Sequence, residues 1–196
     1  MILHEPVTTR VGMPMDEFIR QFDEQPFELI NGERRQLIPH VAGQSEVYMF
    51  FLRRLTMGEF SPPIHAFVQA PYVLADDTTW VTGVRAPDVI VYSADRLEAY
   101  KTQHATWRDL PFLLVPDLVI EAISPTDTMQ DITNAVEAYL KDGVRLVWVV
   151  DLWTQIVTVR ELGSQQATIL YPHDTLTGGA VVPGFSVKVS DIFGED

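Results

Sequence analysis

Apolar residues recur along the chain with two distinct periods, and the changes of period mark out its elements. Met13 to Phe22 carries a short helical pattern. Phe27 to Pro39 alternates apolar and polar residues around Asn31-Gly32, a pairing that favours a two-residue hairpin turn. From Gln44 to Met57 the helical period returns: Val47, Phe51 and Leu55 stand four apart, and Tyr48 and Leu52 widen the stripe. Ile64 to Leu74 is strand-like and should end in a turn at Asp76-Asp77. Val89 to Tyr92 is a short apolar strand, and a helix is expected over Asp95 to Tyr100.

The second half is more regular. Leu118 to Ile123 is a nearly continuous apolar run rich in β-branched residues, the pattern of a strand covered on both faces. Ser124-Pro125-Thr126-Asp127 breaks it and offers several helix caps. A helix should then run to about Asp142, with Ile132, Val136, Tyr139 and Leu140 inward and Gly143 as its terminator. Arg145 to Val150 is another apolar strand, Ile156 to Glu161 alternates, and Thr168 to Tyr171 is a shorter partner. A strand, a helix and a strand in that order imply a crossover. The predicted class is α/β (α+β): a mixed central sheet flanked by helices, preceded by a helix and a β-hairpin. With no repeat, low-complexity tract or linker, residues 1–196 read as one domain.

Composition narrows the function. With 46% hydrophobic and 21% charged residues, the chain can bury a core, so global disorder is excluded. No apolar run approaches the length of a membrane span, and Met1 to Arg10 lacks the pattern of a secretory signal. The absence of cysteine rules out disulfides, thiolate zinc sites and a cysteine nucleophile, and suits a reducing cytoplasm. The net charge of −13 argues against simple electrostatic binding of nucleic acid. Arg34, Arg35, Arg53, Arg54 and Arg85 nevertheless fall in the first half, where a local basic surface could form.

Two carboxylates occupy positions that strand chemistry disfavours. Asp88 opens the run Val89-Ile90-Val91, and Glu121 sits inside Leu118 to Ile123. A carboxylate in such surroundings needs a cation, a hydrogen-bond network or a proton. Two explanations compete. In one, Glu121 pairs with an arginine and Asp88 caps a loop; in the other, both hold a divalent ion, and Mg²⁺ is an oxygen-seeking ion usually held by one or two carboxylates. Asp117 shares the strand parity of Glu121, but four residues of strand separate them by roughly 13 Å. It therefore reads as a strand-entry cap. Glu28 faces away from Phe27 and Leu29 and reads, taken alone, as part of a solvated hairpin face. The five histidines (His4, His40, His65, His104, His173) lack ligand spacing, and no phosphate loop, nucleophile elbow or dinucleotide fingerprint is present.

Four blocks, in order, carry a resemblance. They are Phe27-Glu28-Leu29-Ile30-Asn31-Gly32-Glu33, Val84-Arg85-Ala86-Pro87-Asp88-Val89, Pro116 to Pro125, and Tyr139 with Gly143-Val144 followed by Val147-Trp148-Val149-Val150-Asp151. Together they resemble the early hairpin, strand entry, acidic strand and closing strand of a large bacterial family of restriction-endonuclease-like proteins, long catalogued as a domain of unknown function. That family belongs to the PD-(D/E)xK nuclease superfamily. The resemblance implies Mg²⁺- or Mn²⁺-dependent hydrolysis of DNA, with Asp88 and Glu121 as metal ligands and Glu28 lining the same site. It also makes a homodimer plausible, since cutting both strands takes paired sites.

The same resemblance exposes a gap. The superfamily usually places a lysine two residues after the acid, where this chain has Ile123. The family places it on the following helix four residues before the tyrosine, where this chain has Ala135. Lys141, six residues on, lies about 600° around the helix and faces elsewhere. A histidine common in the family at the start of the second helix is replaced within Gly43-Gln44-Ser45. Three readings stay open. One is an active nuclease with Gln44, Asn134, Arg85 or a second ion in the lysine's place. Another is a catalytically degenerate module that binds nucleic acid or protein. The last is a metal-dependent hydrolase of another substrate.

Overall fold

The computed structural model describes residues 10–30, 32–37, 39, 41–123 and 126–194. Asn31, Ser124, Pro125, His4 and His40, on which some expectations rest, lie outside the described residues. In chain order the first elements are β1 (Met13–Pro14), α1 (Met15–Glu24), the hairpin β2 (Phe27–Ile30) and β3 (Glu33–Gln36), and α2 (Ala42–Met57). Next come β4 (Ile64–Val68), β5 (Tyr72–Asp77), β6 (Trp80–Arg85), β7 (Val89–Ser93) and α3 (Ala94–Gln103). The chain continues with β8 (Leu118–Ala122), α4 (Met129–Asp142), β9 (Leu146–Asp151), β10 (Ile156–Glu161) and β11 (Ala167–Leu170), and closes with β12 (Thr175–Thr177) and β13 (Ser186–Lys188).

The central sheet has six strands in the order β11-β10-β9-β8-β7-β4. Only β8 and β9 are parallel, and α4 is the connection that parallel neighbours require. The expected mixed sheet with flanking helices, and the helix and hairpin before it, are all present. A second, antiparallel sheet runs β1-β6-β2-β3, with β5 also on β6.

Period-two alternation divides the central strands between two cores. Leu118, Ile120, Ala122 and Trp148 pack with Val47, Phe51 and Leu55 of α2 and with Phe185. Val119, Val147, Val149, Ile90 and Tyr92 pack on the other face with Leu97 of α3 and Val136 and Tyr139 of α4. Fully burying each such side chain contributes about 1.5–3 kcal/mol. Glu121 lies in the second row, on the face turned to α4.

Helix α4 starts one residue beyond the expected cap candidates. The hydroxyl of Thr128 accepts from the Asp131 backbone N–H at 3.2 Å, and the Asp131 carboxylate accepts in return from the Thr128 N–H at 3.4 Å. It ends at Gly143, whose φ of +105° is left-handed, as its terminator role requires. A Cβ at Gly143 would meet nothing within 4 Å, so the cost of a side chain there is conformational only. Gly143→Ala is expected to destabilise by about 1–2 kcal/mol, seen as a fall in Tm of roughly 2–4 °C per kcal/mol. An unchanged melt would refute the left-handed cap.

Several expectations need correction. Ile64 to Leu74 is two strands in different sheets, because Gln69 adopts a φ of +50° and Pro71 follows. The turn placed at Asp76-Asp77 comes later: β5 runs through Asp77, whose carboxylate accepts from the Thr79 N–H at 2.7 Å. Strands β1, β6, β12 and β13 went unpredicted: Met13 and Pro14 fall in the stretch expected as helix, Gly83 interrupts the apolar pattern of β6, and the last two have three residues each. Arg85 contributes to no basic surface. It is buried, with Nε 2.9 Å from Asp142 Oδ2 and Nη1 donating to the Leu29 carbonyl at 2.8 Å.

Candidate functional site

The chain passes from one sheet to the other through Ala86-Pro87-Asp88, the short link between β6 and β7. Proline holds this link extended and offers no N–H to either sheet. Asp88 thus enters at the start of β7 and is only 4% exposed. Strands β7 and β8 pair Val89 with Ile120 and Ile90 with Val119. One further step of that register sets Asp88 opposite Glu121, on the face shared with Val119 and Val149. Directly opposed side chains in an antiparallel pair lie close enough to interact.

Each carboxylate is oriented by a neighbour. The Ala122 N–H donates to Asp88 Oδ2 at 2.7 Å. The Tyr139 hydroxyl, from α4, donates to Glu121 Oε1. Glu28 arrives from the second sheet, where its Oε1 accepts from the Ala86 N–H at 3.1 Å. Asp88, Glu121 and Glu28 therefore line one cavity of about 340 Å³, roofed by α4 and the hairpin. The structure brings all three predicted site residues together. Glu28 is partly buried there, not part of a solvated face. A cleft of about 420 Å³ near Arg145, Glu161 and Gly178 has none of these acids.

Burial pushes the Glu121 carboxyl well above the usual carboxylate range, and adjacent Asp88 pushes it the same way. Burial also raises Glu28, against the opposing pull of the Ala86 N–H, Arg85 and Arg35. The Tyr139 hydroxyl is raised by burial and by Glu121, and the Tyr48 hydroxyl by burial and by Asp88. Both phenols consequently remain O–H donors against the acids.

The lining carries five carboxylates (Glu28, Asp88, Glu121, Asp127 and Asp131), and Arg35 is the one cationic side chain among the described lining residues. No group of three or more His, Asp or Glu side chains poised to hold an ion occurs among the described residues. The arrangement fits a hard, partly hydrated divalent ion better than a fully caged one. Glu121 is held by a tyrosine, so the arginine-pair explanation fails for it.

The candidates for the missing lysine's place fare poorly. Ala135 does line the cavity. Gln44 also lines it, but its Nε2 donates to the Ala122 carbonyl at 2.8 Å and its Oε1 accepts from the Val41 N–H at 3.0 Å. Asn134 is absent from the described lining and accepts from Gln130 at 2.8 Å. Arg85 is committed to Asp142, and Lys141 is exposed. Asp117 lies apart: Ser93 N–H donates to it at 2.9 Å, and Arg96 sits 2.6 Å away, in keeping with a strand-entry role. The sequence marked Tyr48 and Tyr139 as inward packing positions and Arg35 as part of a possible basic surface, but placed none of them at the site; the hairpin turn alone would have put Arg35 opposite Glu28.

Comparisons with known proteins agree with this architecture. The Uma2 family model, described as "Putative restriction endonuclease", matches residues 15–190. A crystal structure described as "a putative nuclease belonging to DUF820", from Anabaena variabilis, superposes with a TM-score of 0.74 at 20% identity, covering 92% of this chain and 97% of that one. The comparison with curated proteins returns no match.

Proposed function

We propose, from the premise that the chain belongs to the Uma2 family of restriction-endonuclease-like proteins, that it hydrolyses DNA phosphodiester bonds at a divalent-metal site on Asp88 and Glu121. The observation that carries this reading is the in-register pair of acids, Asp88 buried and Glu121 partly buried, on the wall of one cavity. Two such acids side by side favour a cation between them, and their oxygens suit Mg²⁺ or Mn²⁺. When bound, the ion polarises a phosphoryl oxygen and lowers the pKa of the attacking water.

The chain's own groups would do the rest. The Ala122 N–H and Tyr139 hydroxyl fix the two ligand carboxylates, and Gln44 fixes the backbone that carries Ala122. Glu28 lines the same cavity and would orient water through its carboxylate. In the reaction the water oxygen bonds to phosphorus and the P–O ester bond breaks with its electron pair. The leaving oxygen takes up a proton as water loses one.

Supercoiled plasmid incubated with Mg²⁺ or Mn²⁺ should be nicked or linearised, with the activity lost on chelation and in Asp88→Asn. Cleavage unchanged in Asp88→Asn would remove the site from consideration. One observation favours a second reading, that of a degenerate binding module. Ala135 lines the cavity, and no lysine does so among the described residues. An inert wild type that gains nicking through Ala135→Lys would establish it.

A further inference from the structure

We propose that Arg35 makes the contact to the scissile phosphate that a lysine at position 135 would otherwise make. This rests on the nuclease reading of the Asp88–Glu121 site. Strands β2 and β3 pair Glu28 with Arg35, so both side chains leave the same face of the hairpin toward the cavity. The guanidinium reaches across to α4, where Nη1 lies 3.6 Å from Asp131 Oδ1. Asp131 stands four residues before Ala135, one helical turn along the same face. Arg35 therefore brings positive charge to the stretch of helix where Ala135 leaves none, entering from the hairpin instead.

The other cavity groups make that charge necessary. Five carboxylates line the space a phosphate must approach, and Arg35 alone among the described lining residues opposes them. Its ion pair with Asp131 is half exposed, with side chains 41% and 52% accessible. A pair of that kind holds weakly, so a phosphate, which accepts two parallel hydrogen bonds from a guanidinium, can replace it. Arginine stays protonated, so its part is to neutralise charge on the non-bridging phosphate oxygens as water adds and the ester bond breaks; it transfers no proton.

The test pairs binding with cleavage. A fluorescein-labelled duplex is titrated in Ca²⁺ at several salt concentrations, Mn²⁺ affinity is measured calorimetrically, and single-turnover cleavage is followed in Mg²⁺. Arg35→Ala and Arg35→Gln should reduce the salt dependence of duplex binding by about one phosphate contact. They should slow cleavage by about 100-fold and leave Mn²⁺ affinity within a factor of about two. Adding Ala135→Lys to Arg35→Ala should restore cleavage. A wild type that cuts while both Arg35 variants cut equally well, with an unchanged salt slope, overturns the inference but leaves the nuclease reading intact. A wild type that neither binds Mn²⁺ nor cuts overturns both.

Discussion

Mg²⁺ or Mn²⁺ is expected to raise the melting temperature of the wild type, and Glu121→Gln to abolish that rise. An ion that binds only the folded state at about a hundred times its Kd adds about 2.7 kcal/mol. For a chain of this length that is a rise in Tm on the order of 5–10 °C. Glutamine keeps the side-chain length and an acceptor for the Tyr139 hydroxyl, but it brings no charge to the ion. The metal-free variant should be as stable as wild type or more so, by about 0.5–2 kcal/mol, because a like-charged buried neighbour of Asp88 is gone. Cleavage should fall by at least about 100-fold, the upper end of what losing even an outer-shell partner of a metal costs. Scanning fluorimetry with and without metal reads the first effect. A metal-induced shift that survives intact in Glu121→Gln would place the ion elsewhere.

Asp142→Ala carries the largest expected effect on stability. Arg85 and Asp142 form a buried pair, with side chains 6% and 5% exposed, and the Tyr72 hydroxyl donates to the same carboxylate at 3.0 Å. Removing the acid strands a guanidinium away from water, which costs about 3–5 kcal/mol. Burial pushes the Asp142 carboxyl up while Arg85 pulls it down. The intact pair is thus worth far less than its rupture costs. Arg85→Met with Asp142→Leu should accordingly recover most of the loss. Urea denaturation of the wild type and the two variants decides the matter; a loss under 1 kcal/mol in Asp142→Ala would show that the pair is not sealed from water. The pair also ties β6, and through the Leu29 carbonyl β2, to the end of α4, so its rupture should loosen the cavity walls.

How far the site was legible depends on the distance over which each contact acts. Asp88 and Glu121 stand out as acids in apolar runs, a local signal that needs no knowledge of the partner. Their mutual register depends on β7 lying beside β8, which periodicity does not reveal. Glu28 and Arg35 differ: the hairpin signal Asn31-Gly32 in the sequence puts them opposite each other by spacing alone, and β2 and β3 pair that way. What stayed hidden is that α4 and the β6–β7 link cover that face, turning a solvated hairpin into a cavity wall. Arg85 looked like surface charge because its partner, Asp142, is 57 residues away. The apolar run through Ile64 to Leu74 conceals a change of sheet that depends on the backbone angle at Gln69. Strand existence was thus readable wherever the pattern was long, and strand neighbours only across the short hairpin.

The link Ala86-Pro87-Asp88 has a consequence for synthesis of the chain. One acid comes from the second sheet and two from the central sheet, and the hydroxyl that orients Glu121 comes from α4, well after Glu28 in the order of translation. A ribosome that stops early, or a protease that removes the last third, leaves a product without Tyr139 or the β9 strand that β8 pairs with. Such fragments hold an unfinished site. The site is therefore complete only once α4 and β9 have joined the fold, although all three acids precede them in the chain.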